Sequence, residues 1–475
     1  MKNLTLHNLE KVCNGTLYYA DAKAETESTC VVIDSRRIEA GGIFIATKGE
    51  RVDGHDFIPQ VFEKGALAVI CERLPEKEYG PCLLVKDSFE ALRKIAAFYR
   101  EQLSIPVVGI TGSVGKTSTK EMIASVLRRH YKVCATEGNY NNEIGVPLTI
   151  LRIRDTDECA VIEMGINHFG EMTRLTGIAK PTVAVITNIG TCHLEALGDR
   201  DGVLRAKTEI FTGLAEDGVI VLNGMDDKLA TVKEAGGRKI LRYGIRTTDV
   251  PNDAADLPAS DVYADGIELK GLEGSRAVLH DTKQNAYAVE VPLPGEHMLL
   301  NAAAAACVGE VLGVTPEEIT AGIAAVQATG GRSHILRCGA YTIIDDCYNA
   351  NPTSVRAALD LLGNTEAPER TLAILGDMFE LGKDARELHA GIGNYAAKKK
   401  IRALVCVGGL SEAMAEAAKD GVGRVMHYAT TEEVAAHVDE ILKTALPEGG
   451  TVLVKASHGM HLETVVEKLK ERADL

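Results

Sequence analysis

The sequence predicts an α/β protein of three domains: a small N-terminal α/β unit (1–87), a central P-loop-type parallel-sheet domain with an antiparallel appendage (88–328), and a C-terminal Rossmann-like doubly wound unit (329–475). Three observations carry this reading. Residues 105–119 set a glycine-rich turn ending in Lys-Thr between an apolar, β-branched run and a helix-forming stretch. Short apolar runs alternate with helical stretches on both sides of it, as βαβ units require. The pattern lapses into strand-like alternation between 246 and 291 and restarts after Gly330-Gly331-Arg332.

Composition narrows the function classes. The 475 residues are 45% hydrophobic and 25% charged, as in a globular protein with sizeable cores. A formal net charge of -15 argues against nucleic acid or an anionic membrane surface as a partner, so any phosphorylated ligand must be gripped locally. Eleven cysteines without a Cys-x-x-Cys pair suggest neither a zinc knuckle nor a disulfide framework, and are read as reduced thiols of a cytoplasmic protein. Residues 1–15 lack a signal-peptide core, and the apolar stretch 298–314 is broken by Asn301 and Glu310; no membrane-embedded segment is expected, and a monomer is.

The N-terminal unit reads as an amphipathic start at 4–12, strands at 30–33 and 42–46, a helix near 59–64, and strands at 66–71 and 82–85. Arg36, in Asp34-Ser35-Arg36 at a strand end, is either a bidentate phosphate clamp or half of a surface ion pair. Residues 88–102 form a helical connector.

In the central unit, 105–110 is a buried strand, Gly112, Ser113, Val114 and Gly115 form a tight turn, and a helix begins at Lys116. Glycines let the backbone approach an anion, the first helical amides point at phosphate oxygens, and the helix dipole favours negative charge there. Lys116 adds a point charge on the β/γ-phosphates, and the Thr117 hydroxyl is placed for Mg²⁺, with Ser118 and Thr119 as possible substitutes. Gly109 and Gly115 bracket 110–114, one residue more than the Walker spacing.

Further strands at 131–135, 159–164, 181–189 and 218–223 and a helix at 200–214 complete a parallel sheet, whose ligands gather at the carboxyl ends of its strands. Three polar clusters fall at such ends. The first is the loop 138–147, with Asn141 and Asn142. Glu163 closes an apolar strand and is either an oxygen ligand for a hard cation or a solvated carboxylate. His193, in 187–195, is either a structural histidine or a ligand, and Lys207 follows on the next helix, where a plain ammonium would repel cations. Pro294-Gly295-Glu296-His297 leads into an alanine-rich helix bearing Asn301.

The C-terminal unit has strands at 341–345, 371–375, 402–407 and 451–455, separated by helices at 353–362, 385–399, 412–418, 432–445 and 462–472. Its polar strand ends carry Asp346, Asn349 and Asn351, then Asp377, then Lys455, Ser457 and His458. Turns and helix caps explain Asn and Asp before Pro as readily as binding does.

Thr111-Gly112-Ser113-Val114-Gly115-Lys116-Thr117 resembles the variant phosphate loop of the Mur ligase and folylpolyglutamate ligase family, and the resemblance extends over almost the whole chain. Asp34-Ser35-Arg36, the glycines before Phe44-Ile45-Ala46, and Asp53-Gly54-His55-Asp56-Phe57 look like the first Mur ligase domain, which implies that Ser35 and Arg36 bind the UDP end of the substrate. Asn141-Asn142-Glu143-Ile144-Gly145-Val146-Pro147 resembles the branch that adds D-alanyl-D-alanine, and places Asn141 and Asn142 on substrate.

The same resemblance implies ATP held by Gly112, Ser113, Val114, Gly115, Lys116, Thr117 and Ser118, with Asn301 facing the adenine and Arg332 and Asp346 reaching back from the third domain. Met298 stands where the family has an asparagine. It implies Mg²⁺ bound by Thr117, Glu163, His193 and a CO₂-carbamylated Lys207, with catalytic roles for Lys116, His193 and Lys207. Asn349, Asn351, Asp377 and Ser457 would meet the incoming dipeptide. Lys455-Ala456-Ser457-His458 departs from the usual Lys-Gly-Ser-Arg, and histidine does not reproduce an arginine's planar fork. The implied activity is an ATP-dependent ligase joining D-alanyl-D-alanine to UDP-N-acetylmuramoyl-tripeptide through an acyl phosphate. The alternatives are a sister ligase adding another amino acid and a nucleotide-dependent scaffold.

Overall fold

A computed structural model of the protein describes residues 1–20, 23–246, 259–365 and 367–473. Residues 247–258, inside the stretch expected to alternate, lie outside the described residues. The described residues form three sheets in sequence order.

The first sheet runs Thr16–Tyr18, Cys82–Leu84, Ala68–Cys71, Ile43–Ile45, Val31–Val32, with only the first pair antiparallel. The helix Ser88–Glu101, N-capped by Asp87, leaves this sheet and ties it to the next. Its Ser88 hydroxyl donates to the Ala46 carbonyl at 2.8 Å, and Tyr99 donates to Ile153 at 2.7 Å. The buried Arg100 donates to the carbonyls of Ala179 and Lys180 at 2.8 and 3.0 Å. Each of these donors is satisfied inside, as burial of polar groups demands. Side chains from both units consequently share one apolar core, including Leu6, Leu92, Ile95, Ile150 and Met172.

Among the described residues the central sheet has nine strands, ordered Ala286–Val291, Ser275–His280, Val262–Leu269, Lys239–Ile245, Val219–Asn223, Val183–Ile186, Val107–Thr111, Cys159–Glu163, Val133–Ala135. Antiparallel pairing is confined to Ser275–His280 and its two neighbours, while Lys239–Ile245 and Val262–Leu269 extend the parallel sheet. The appendage is therefore a continuation of the same sheet, and its parallel part begins earlier than the alternation suggested. The alanine-rich helix His297–Val311 is buried almost all round and shares a core with the helix Lys116–Leu127. A Cβ on Gly322 would come within 2.4 Å of the Val126 backbone, so the following helix, Pro316–Ala324, also lies hard against Lys116–Leu127. The helix that carries the phosphate-binding turn is thus wedged in place.

The third sheet runs His334–Cys338, Tyr341–Asp345, Gly450–Lys455, Thr371–Gly376, Ala403–Val407, Arg424–Tyr428 and is parallel except for its first pair. Separate apolar cores cover its two faces, giving the expected doubly wound arrangement. The helix expected over 432–445 is two, Thr431–Ala436 and Val438–Ala445, meeting at His437. Among the described residues, no helix is long and apolar enough to cross a membrane.

Candidate active site

A cavity of about 1370 Å³ opens where the strand ends of the central sheet face those of the third, with the start of the connector helix at its edge. Its central wall is the turn after Val107–Thr111. Gly112 has φ 150°, and a Cβ there would sit 1.9 Å from the Thr187 Oγ1; only glycine lets the two loops approach this closely. Gly115, at φ 81°, begins the helix Lys116–Leu127 without a side-chain cap, so the first-turn amides face an anion site.

The neighbouring strand end locks this turn. Asn188 Oδ1 accepts from Val114 N at 2.9 Å and its backbone carbonyl accepts from Ser113 N at 3.0 Å. The Thr187 hydroxyl donates to the Val114 carbonyl at 2.6 Å, and Gly190 N donates to Ser113 Oγ at 2.8 Å. The sequence signal for Thr187 and Asn188 is their position at the end of the strand next to the one that carries the glycine turn. Lys116 folds its ammonium onto the Gly112 carbonyl at 2.9 Å, at the cavity wall. Ser118 lines the same wall.

Thr117 Oγ1 donates to Glu163 Oε2 at 2.8 Å, Asn141 Nδ2 donates to Glu163 Oε1 at 2.8 Å, and both Thr117 and Glu163 are buried. A hydroxyl and a carboxylate beside an anion cradle are the hard oxygen donors that a Mg²⁺–phosphate pair takes, since Mg²⁺ keeps several waters and needs few protein ligands. These residues fit such an ion. Asn141 thus partners Glu163, and Asn142 Oδ1 accepts from Ile144 N and Gly145 N at 3.1 and 2.8 Å, shaping the start of the helix Gly145–Ile150. Both line the cavity.

His193 lines the cavity from a left-handed turn (φ 53°), with Nδ1 2.7 Å from Glu380 Oε2 of the third domain. Lys207 is 1% exposed in the last turn of the helix Arg200–Thr208, behind the cavity wall. Burial pulls its amine down to about 8; nearby Cys192 opposes that shift, and Lys116 adds to it. Asn301 lines the cavity, accepts from Thr119 Oγ1 at 2.9 Å and donates to the Met298 sulfur at 3.3 Å.

The opposite wall comes from the third domain. Arg332 lies over the Tyr348 ring at 4.1 Å, and His458 stacks on the same residue at 5.6 Å. Asp346 Oδ2 pairs with Lys455 Nζ at 2.6 Å, and Lys455 also donates to the Asn349 carbonyl at 2.8 Å. His297, at the head of the alanine-rich helix, faces this pair across the gap; burial lowers its basicity, and Lys455 adds to that while Asp346 opposes it. Asn349 accepts from Ala350 N at 2.8 Å, and Asn351 caps the helix Pro352–Gly363 by accepting from Ser354 N at 2.9 Å; both line the cavity.

Asp377, Ser457, Arg36 and Ser35, singled out in sequence, do not line this cavity, and neither do Lys207 and His458. Asp377 is buried and accepts from Ser411 N, Ser411 Oγ and Leu410 N at 2.7, 2.6 and 3.2 Å, tying two strand-end loops together. Ser457 Oγ accepts from Phe379 N at 2.9 Å. Arg36 is ion-paired: its guanidinium holds both Asp34 oxygens, at 2.9 and 2.8 Å, with its side chain 87% exposed. Ser35 is buried, and its carbonyl accepts from Lys64 Nζ at 3.0 Å.

A glycine turn between strand and helix, an uncapped helix start and a buried hydroxyl–carboxylate pair define a nucleotide-binding P-loop domain, closed over by a second α/β unit. Family models match at 27–100 (Mur ligase family, catalytic domain), 110–309 (Mur ligase middle domain) and 331–458 (Mur ligase, glutamate ligase domain). The UDP-N-acetylmuramoyl-tripeptide–D-alanyl-D-alanine ligase of Bacillus subtilis (strain 168) is 36% identical, over 98% of either chain. A crystal structure of MurF from Acinetobacter baumannii superposes with a TM-score of 0.86 at 35% identity, covering 98% of each chain. That of a MurF ligase from Thermotoga maritima in complex with ADP gives 0.79 at 29% identity, covering 94% of this chain and 98% of that one. The chain belongs to the Mur ligase family.

Proposed function

We propose that this protein is the ATP-dependent ligase that joins D-alanyl-D-alanine to the terminal carboxylate of UDP-N-acetylmuramoyl-tripeptide. The observation that carries the reading is one cavity with a phosphate cradle (Lys116, Thr117, Glu163) on one wall and Arg332, Asp346, Asn349 and Lys455 on the other. The relatives' names supply the substrates, and the ADP complex of the Thermotoga maritima ligase supports the nucleotide.

The chemistry follows from the charges. A tripeptide carboxylate oxygen attacks the γ-phosphorus, ADP leaves, and an acyl phosphate forms. The dipeptide's neutral amine attacks the acyl carbon, phosphate leaves with that carboxylate oxygen, and a proton is released. Two anions meet in the first step, so Lys116 and the helix amides that start at Gly115 must neutralise the γ-phosphoryl group. Mg²⁺, when bound, adds charge stabilisation at the phosphate oxygens. Thr117 and Glu163 would hold it, and Asn141 keeps the Glu163 carboxylate aimed. A second ion would draw on His193 and on a carbamylated Lys207. Burial keeps a reactive fraction of the Lys207 amine neutral, able to bond the carbon of CO₂ and release a proton to become an anionic ligand.

Asn301 is assigned to the adenine, and Asn142, Asn349 and Asn351 to substrate. Residues 1–87 are proposed to hold the UDP-muramoyl end, through Ser35 and Arg36 once Asp34 yields its fork; 88–328 bind ATP, and 329–475 the dipeptide. Asp377 and Ser457 support the last site by bracing its loops. The protein is proposed to work as a monomer in the cytoplasm, where ATP is supplied. Phosphate release is the test, with lysine- and diaminopimelate-containing UDP-muramoyl tripeptides. Release that requires D-alanyl-D-alanine supports the reading; release with single amino acids alone, or nucleotide binding without substrate-dependent release, overturns it.

A further inference from the structure

Two non-glycine residues with left-handed backbones meet across the gap between the central and third domains: His193 (φ 53°) and Glu380 (φ 61°), 2.7 Å apart. A left-handed backbone is unfavourable for each of these residues, and a pair this open to solvent returns little, because the Glu380 side chain is 59% exposed. Stability does not account for the arrangement.

The segment before Glu380 is held rigidly by its own domain. Asp377 is anchored on Ser411, Met378 N donates to His389 Nε2 at 2.9 Å, and Phe379 N donates to Ser457 Oγ. The carboxylate therefore arrives at His193 with its position set from the third domain. An ionised Glu380 accepts the proton on Nδ1 and leaves the His193 Nε2 lone pair as the ring's one donor to a cation. Metal-binding histidines commonly give their other N–H to a carboxylate, which fixes tautomer and ring orientation. In this chain that carboxylate belongs to a different domain from the ligand.

We propose that Glu380 is a positioning residue for the second cation site: it orients His193 only when the third domain meets the central one, so this half of the site is assembled by domain closure. The proposal rests on the reading of His193 as a cation ligand. The test is electron paramagnetic resonance titration of the full chain, as its ADP complex in bicarbonate, with Mn²⁺ as the probe. Glu380→Ala should weaken the second Mn²⁺ by roughly 10- to 100-fold and leave the first unchanged, and Glu380→Gln, which keeps an acceptor oxygen, should recover part of that loss. Unchanged second-site affinity in Glu380→Ala, with His193→Ala losing the second ion, overturns the role of Glu380 alone. Unchanged affinity in His193→Ala as well overturns the reading of His193. A purely structural role would lower Tm in Glu380→Ala without moving either Mn²⁺ affinity, and that result also overturns the proposal.

Discussion

Replacing Lys207 by methionine is expected to stabilise the protein while abolishing turnover. The amine is 1% exposed, and burial drops it from 10.5 to about 8, a difference worth about 3 kcal/mol at 1.36 kcal/mol per pH unit. Its sign is fixed by linkage. Below about pH 8 the folded and unfolded chains both carry the proton, and the folded one holds the charge at a disadvantage. Between about 8 and 10.5 the unfolded chain binds more protons, so stability rises with pH and the penalty fades. Methionine fills a similar volume and has no charge to desolvate. At pH 7 it should recover up to about 3 kcal/mol, or roughly 6–12 °C in Tm for a domain of this size. Calorimetry in decarbonated, Mg²⁺-free buffer at pH 7 and pH 9.5 measures it. A variant no more stable than wild type at pH 7, or a gap that widens with pH, would refute the reasoning.

Other substitutions separate the roles assigned above. Thr117→Val removes the hydroxyl that Glu163 accepts from, and calorimetric titration should show Mg²⁺-dependent ADP affinity falling by roughly 10- to 100-fold, with unchanged affinity as the contrary result. Gly112→Ala forces a methyl toward Thr187 Oγ1, so ATP should no longer raise the melting temperature in a thermal-shift assay. Asp377→Asn leaves Ser411 and Leu410 with a poorer acceptor, and should lower stability by about 1–3 kcal/mol in denaturant titration. The dipeptide KM should stay put, whereas a substrate-binding Asp377 would raise it.

The parts of the fold legible in sequence are those where local chemistry is demanding. The turn at Gly112–Gly115 needs glycine for backbone reasons, and the inner strands Val107–Thr111 and Cys159–Glu163 are buried on both faces, so they read as unbroken apolar runs. Lys239–Ile245 is hidden in the sequence because Lys239 and Arg242 interrupt its apolar run, although Arg242 is buried and donates to the Val232 carbonyl at 2.6 Å. The strands His334–Cys338 and Arg424–Tyr428 lie at sheet edges, where charged residues are tolerated and the strand pattern is diluted. Side-chain direction was the least accessible feature. Asp377 sits in a polar strand-end cluster like that of Asp346, yet it turns inward because Ser411 waits there, a contact set by tertiary packing. The meeting of His193 with Glu380 likewise has no local signature, since each residue's neighbours in sequence belong to a different domain.

Oxygen transfer tests the central claim most directly. With both oxygens of the tripeptide's terminal carboxylate labelled as ¹⁸O, activation through an acyl phosphate predicts one labelled oxygen in each phosphate released and one retained in the new peptide bond. Phosphate carrying only solvent oxygen, with peptide still being formed, would contradict the account.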